Sequence, residues 1–164
     1  MPSKLSILVF VASPLDFARY RHAALYFEFE KTHSNVQIEK TVRFNESVAE
    51  REDDIKSSVM EVVGSPGFLS FYERVNTDLP AAATGLAKAV FVSSIPDTVP
   101  VSSLRAIVSE TPVDDLEGDW NSQNWVGDAL GRLVTAGYLD AADKERAVDD
   151  MVDVILEAKD EETA

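Results

Sequence analysis

The first half of the chain alternates apolar and polar positions in the way that β-strands do. Residues 5–11 are an apolar run of β-forming residues, and the stretch 21–30 (RHAALYFEFE) places Ala24, Tyr26 and Glu28 on one face, opposite Leu25 and Phe27. The same pattern predicts strands over 36–44, 58–63, 68–75 and 86–95. The strongest turn signal is the run Gly64-Ser65-Pro66-Gly67.

The second half changes to the period of an α-helix. After Pro100, the stretch 102–110 groups apolar residues on one face and stops before Pro112. Residues 121–136 form a second helix that ends at Gly137, and Asp140 is a candidate cap for a third. The predicted apolar stripes are Leu104, Ile107 and Val108; Trp125, Ala129, Leu130, Leu133 and Val134; and Ala147, Met151, Val154, Ile155 and Ala158. Strands followed by helices predict an α+β fold with a mainly antiparallel sheet.

Length and composition limit the kinds of site. A chain of 164 residues with 45% hydrophobic content predicts one folded domain, over residues 1–158, followed by a disordered acidic tail, 159–164. The absence of cysteine excludes disulfides, cysteine-ligated zinc, iron–sulfur clusters and thiol catalysis by this chain. No cofactor or metal is predicted.

The charge of the chain limits its partners. Fifteen basic and twenty-nine acidic residues give a formal net charge of −14, which repels phosphate backbones and anionic lipid. Nucleic acid and membrane surfaces are therefore not expected as partners. Residues 5–12 are interpreted as a buried strand and not as the core of a signal peptide, because the run is short and contains Ser6. We expect a cytoplasmic protein.

Two histidines are candidates for chemistry near neutral pH. His33 lies in a polar turn (KTHSN), where a solvated side chain is expected. His22 opens a predicted strand directly after a loop, so its ring could stand at the rim of a cleft. A structural role for His22 stays open on position alone.

The segment DWNSQNWV contains the second candidate. Asp119 and Asn121 are natural capping residues, and the helix is expected to begin near Ser122. A side chain in the first helical turn experiences unpaired N–H groups and the positive end of the helix dipole, which stabilise a thiolate or an oxyanion. The alternative is that Ser122 or Asn121 is only a cap and Trp125 only core. The acidic residues Asp114, Asp115, Glu117 and Asp119 lack EF-hand spacing and are interpreted as a solvated loop.

Together, the two segments resemble a known group of proteins. A histidine opening a strand (RHAALYFEF) and a later helix opening (WNSQNWV) resemble the circularly permuted papain-like proteins. That group includes the lecithin retinol acyltransferase group, the PPPDE-type isopeptidases and permuted NlpC-like hydrolases. Over most of its length the chain also resembles a family of small fungal proteins, through Tyr-Arg-His, Val-Val-Gly-x-Pro-Gly-Phe and Asp-Trp-Asn-x-Gln-Asn-Trp-Val. The resemblance implies a papain-like fold in which a histidine faces a nucleophile at a helix N-terminus.

The resemblance also implies roles for individual residues. His22 would be the base, Ser122 stands where these proteins carry the nucleophilic cysteine, and the N–H of Gln123 would help to hold an oxyanion. The best match for the third polar group is Glu61, in VMEVVG. The serine could be an engineered replacement of cysteine, a natural nucleophile, or the mark of a domain that lost catalysis and kept a binding cleft.

We therefore expect an acyl-transfer enzyme, a hydrolase or a transferase, that acts on a small-molecule or peptide substrate. Two other hypotheses remain open. One is a non-catalytic binding domain on the same scaffold, and the other is a small-molecule enzyme that forms no covalent intermediate. The sequence does not predict the oligomeric state.

Overall fold

The structure, a computed structural model, describes residues 3–12, 15–29, 55–64, 68–76, 85–113 and 120–158. The following predictions lie outside the described residues: the strand at 36–44, the turn at His33, the acidic group Asp114, Asp115, Glu117 and Asp119, and the tail 159–164.

Five antiparallel strands form one sheet. They are β1 (Ser3–Phe10), β2 (His22–Glu28), β3 (Ser57–Val63), β4 (Ser70–Val75) and β5 (Leu86–Ile95), in the spatial order β4-β3-β2-β1-β5. A 3-10 turn, Ala18–Tyr20, precedes β2. Three helices follow the strands: α1 (Val101–Ser109), α2 (Ser122–Thr135) and α3 (Ala141–Ile155). The predicted α+β class with an antiparallel sheet is confirmed.

The alternation in β2 does not separate a buried face from a solvated one. Residues 23–27 are all buried, because β2 is the central strand and both of its faces are covered. One face packs against the helices, and this large core contains Leu25, Phe27 and Met60 together with Trp125 and Leu130 of α2. The other face carries a smaller cluster of buried side chains, made of Leu8, Ala24, Tyr26 and Val59.

Capping residues in the sequence determine where α2 begins and ends. Asn121 caps its start, and its side chain exchanges hydrogen bonds with the first turn as a capping box. Gly137 ends it with a positive φ of 85°, and the N–H of Tyr138 donates to the Leu133 carbonyl at 3.0 Å. This is the arrangement of a Schellman motif, in which glycine adopts the left-handed conformation without steric cost.

The predicted cap at the start of α3 is wrong in one respect. The carbonyl of Asp140 accepts the N–H of Lys144, so the helix does begin there, but the Asp140 carboxylate makes no capping hydrogen bond. Asp143 supplies the negative charge in the first turn instead. Within the described ranges, none of the helices combines the length and the apolar composition needed to cross a bilayer.

The last helix also contacts an edge of the sheet. Arg146 of α3 donates to the backbone carbonyls of Phe91 and Val92 in β5, which is the outermost strand on that side. Ser93 adds a hydrogen bond to the Asp143 carboxylate at 3.0 Å. These contacts fix α3 along β5.

Candidate active site

His22 is the first residue of β2. It pairs with Phe10, the last residue of β1, and the two rings lie 5.9 Å apart between centroids. The His22 side chain is 32% exposed, so it stands at the end of the sheet in contact with solvent. This position agrees with the prediction that a histidine opening a strand can reach the rim of a cleft.

Glu61 holds the His22 ring from the neighbouring strand. It follows Met60, the β3 partner of Leu25, and its Oε1 lies 2.6 Å from His22 Nε2. Its second oxygen, Oε2, lies 3.2 Å from Nη2 of Arg74 in β4. The structure therefore brings the predicted third polar group into contact with the histidine.

The environment of Glu61 keeps its carboxyl ionised. Burial raises the pKa of Glu61, but the hydrogen bond and charge of His22, together with the charge of Arg74, outweigh burial and hold the pKa below its ordinary value. An ionised carboxylate fixes the orientation of an imidazole and stabilises its protonated form.

Ser122 is the first residue of α2 and is 7% exposed. Its Oγ accepts a hydrogen bond from the N–H of Ala23 at 3.1 Å. The amide that reaches it belongs to the residue directly after His22. The prediction that the start of this helix packs against the start of the His22 strand is therefore confirmed.

The imidazole and the hydroxyl are not directly joined. In the described part of the chain, no hydrogen bond links His22 to Ser122, because the hydroxyl oxygen accepts from Ala23 and the imidazole Nε2 contacts Glu61. The second ring nitrogen, Nδ1, bonds to no described residue and is the nitrogen left to exchange a proton. The His22 ring lies on the face of β2 that carries Ala24 and Tyr26, and Ser122 lies on the opposite, helix-packed face. The hydroxyl would therefore have to give up its bond to Ala23 and also pass around the end of the strand to reach the imidazole.

Gln123 makes hydrogen bonds at the start of α2 with both its backbone N–H and its side chain. Its N–H donates to Oδ1 of Asn121 at 2.9 Å, so the helix cap uses the predicted oxyanion donor in this conformation. Its side-chain Nε2 donates to the carbonyls of Ala18 and Arg21 at 3.0 and 2.9 Å. Gln123 thus holds the segment that leads into His22. The N–H of Ser122, at the first helical position, bonds to no described residue and is the better-placed donor.

Sequence reasoning missed the group that anchors this segment from the other side. Arg21 donates from Nε and Nη2 to the two oxygens of Asp16 at 2.9 and 2.6 Å, and from Nη1 to the carbonyl of Val154 at 2.9 Å. Both charged side chains are buried, as a paired arrangement allows. The one sequence signal for this ion pair is the position of Arg21 directly before His22.

A groove of about 900 Å³ lies elsewhere, between α2 and α3. Its lining includes Gly127, Gly131 and Lys144 and contains none of the predicted site residues. The chemistry of the site is therefore separate from this groove.

Comparison of the chain with models of protein families, with characterised proteins and with solved structures found no match. The function of the site is accordingly inferred from its geometry.

Proposed function

We propose that this domain is a papain-like acyl-transfer enzyme, a hydrolase or a transferase that acts on an ester, amide or peptide bond. The observation that carries the proposal is the hydrogen-bonded pair of His22 and Glu61 at a strand start on which the first residue of α2 is docked. Nucleophilic acyl transfer requires a base oriented by a carboxylate and a hydroxyl at a helix N-terminus, and here the two groups lie on opposite faces of the same strand start.

In the proposed reaction the start of α2 moves around the end of β2, so that Ser122 Oγ exchanges its bond to Ala23 for one to His22 Nδ1 on the opposite face. The oxygen attacks the substrate carbonyl while its proton passes to the imidazole, and the ionised Glu61 stabilises the imidazolium. The same proton then leaves with the departing group as the acyl–serine bond remains. The N–H of Ser122 and the positive end of α2 stabilise the oxyanion. Water or a second substrate releases the acyl group.

One observation favours a second candidate, a non-catalytic binding domain. Ser122 Oγ already serves as acceptor for the Ala23 N–H, which ties the helix to the strand. A hydroxyl used in this way satisfies a buried amide and needs no reactivity. Under this alternative, the open end of the sheet would bind a ligand without transforming it.

The test uses Ser122→Cys, which places a thiol in a chain that has no other cysteine. We expect iodoacetamide to alkylate this thiol rapidly at a pH well below the pKa of a free thiol, about 8.5. The helix N-terminus and the protonated imidazole both favour a thiolate. The rate constant of alkylation is measured by mass spectrometry across pH, with and without His22→Ala, which should lower it at least about tenfold at acidic pH.

Ser102→Cys is the matched control. Ser102 is exposed at the second position of α1, so it has the helix N-terminus but no His22–Glu61 pair beside it. If Ser122→Cys alkylates with the pH profile of Ser102→Cys and ignores His22→Ala, the acyl-transfer proposal fails and the binding-domain candidate replaces it.

A further inference from the structure

The groove between α2 and α3 contains two cationic side chains, those of Arg132 and Lys144. Its volume of about 900 Å³ is within the range of small-molecule sites. Both residues are half-buried, and neither side chain makes an ion pair or a hydrogen bond with any residue that the structure describes. A cation that is partly removed from water and has no protein partner favours an anionic ligand.

Arg132 differs in this respect from the other arginines whose side chains the structure describes. Each of the others pairs with a carboxylate; they are Arg21, Arg74, Arg105 and Arg146. The chain has twenty-nine acidic residues against fifteen basic ones, so carboxylate partners are abundant. The guanidinium in the groove therefore keeps its donors available for another molecule.

Glycine in α2 makes room for the ammonium of Lys144. A Cβ atom at Gly131 would lie 3.4 Å from Lys144 Nζ, so the ammonium rests against the backbone of α2. Gly127, four residues earlier, also lines the groove, and nothing lies within 4 Å of the place where its Cβ would be. The two glycines keep the floor of the groove open at a cost in helix stability.

The start of α3 adds a third source of positive potential. Ala141, its first residue, lines the groove, and the Asp140 side chain makes no capping hydrogen bond there. N–H groups without a cap at a helix N-terminus attract oxyanions. Lys144 follows Ala141 by three residues, about 4.5 Å along the helix axis, so its ammonium and these N–H groups can contact one anion.

Two acidic residues, Asp128 and Glu145, also line the groove. Both are exposed, and neither forms an ion pair with Arg132 or Lys144. Because water screens exposed charges, these carboxylates lower the affinity of the groove for an anion without neutralising the half-buried cations.

We propose that the groove between α2 and α3 binds the oxyanion group of a small molecule, a phosphate ester or a carboxylate. Its oxygens accept hydrogen bonds from Lys144 Nζ, from the Arg132 guanidinium and from N–H groups at the start of α3. A phosphate dianion has more charge and more acceptor oxygens than a carboxylate, so phosphate esters should bind more tightly. No residue of the candidate active site lines the groove, so this site is independent of the proposed function.

The experiment titrates the ¹⁵N-labelled full chain with glycerol 2-phosphate or with butyrate and follows the backbone amides by NMR. We expect saturable shift changes at Gly127, Gly131 and Ala141 and none at His22. Butyrate should bind at least about tenfold more weakly, because it lacks one or more charge-assisted hydrogen bonds. Tighter binding of butyrate at the same amides would assign the site to carboxylates.

Variants identify the groups that hold the anion. Lys144→Gln and Arg132→Gln should each weaken the binding of glycerol 2-phosphate about tenfold or more, whereas Asp128→Asn should strengthen it. Lys88→Gln is the matched control, because it makes the same change in net charge at an exposed lysine of β5, outside the groove. It should change the affinity by less than about twofold.

Gly131→Leu separates binding from folding. Leucine fills the space over the backbone of α2 and is a better helix former than glycine, so binding should be lost while the thermal unfolding midpoint does not fall. Three results would overturn the proposal: shift changes that do not saturate with either probe, an equal loss of affinity in Lys88→Gln, and a folded Gly131→Leu variant that binds as well as the wild type.

Discussion

Two glutamates on neighbouring strands, Glu61 buried and Glu73 half-buried, show how differently the two faces of this sheet are used. Glu73 of β4 points to the helix-packed face, where Arg105 of α1 donates to both of its oxygens at 2.7 and 2.9 Å and Ser58 donates at 2.6 Å. Glu61 of β3 points to the other face, where its partners are Arg74 and His22. Both carboxyls have a lowered pKa.

The difference lies in what the partners can do. Arg105 and Ser58 keep their protons at any physiological pH, so the Glu73 cluster can only hold α1 against the sheet. An imidazole is the one partner type here that can exchange a proton near neutral pH, and the ring of His22 reaches solvent. A paired carboxyl with a lowered pKa therefore occurs both in the structural cluster around Glu73 and in the candidate site around Glu61. The imidazole partner that reaches solvent is what distinguishes the candidate site.

The largest contrast between the faces is expected for their aromatic residues. Trp125→Ala should lower the free energy of unfolding by about 3–5 kcal/mol, because the ring is fully buried in the helix-packed core next to Phe71. Tyr72→Ala, at 50% exposure on the opposite face of the sheet, should cost less than about 1 kcal/mol. Urea unfolding followed by circular dichroism measures both, and equal losses would remove the distinction between the helix-packed core and the opposite face.

The two glutamates give a smaller contrast in stability. Glu73→Gln should cost about 1–3 kcal/mol, since it weakens a two-point pair and a hydrogen bond in a partly buried site. Glu61→Gln should cost less than about 1 kcal/mol, because the half-exposed guanidinium of Arg74 keeps contact with water, and yet it should slow alkylation of Ser122→Cys. A Glu61→Gln variant that loses more stability than Glu73→Gln, with unchanged alkylation, would make Glu61 a structural residue.

The smallest expected effect is on acid stability. Because both carboxyls have a lowered pKa in the folded protein, their contribution is complete above the ordinary glutamate pKa of about 4.3 and is lost as the pH falls through the folded value. The free energy of unfolding should therefore fall less steeply between about pH 5 and pH 3 in each Gln variant than in the wild type. Urea titrations at closely spaced pH values test this. Parallel curves of unfolding free energy against pH for the wild type and the Gln variants would show that neither carboxyl changes its pKa on folding.

The sequence predicted the elements better than the contacts between them. Strand β5 was predicted with its observed bounds, 86–95, because its apolar pattern is bounded on both sides by turn residues. The start of α2 at Ser122 and its end at Gly137 followed from local capping chemistry. Trp125, Leu130 and Leu133 are fully buried, as their shared helical face predicted.

The site was predictable only in outline. Helical period and strand position placed the start of α2 against the start of β2, but the face on which His22 and Glu61 lie depends on strand pairing that the local pattern does not contain. The use of the Gln123 N–H by Asn121 depends on one side-chain rotamer. The contact of Arg21 with the Val154 carbonyl joins residues 133 positions apart, and no local rule could predict it.

The contact of Arg146 with the outermost strand has a further consequence for how this sheet ends. Unpaired carbonyls on an edge strand can recruit a strand from another molecule and so begin aggregation. Because Arg146 occupies two of those acceptors in β5, a foreign strand would first have to displace a guanidinium anchored on α3. Helix α3 thereby protects this border of the sheet against fibril-like addition.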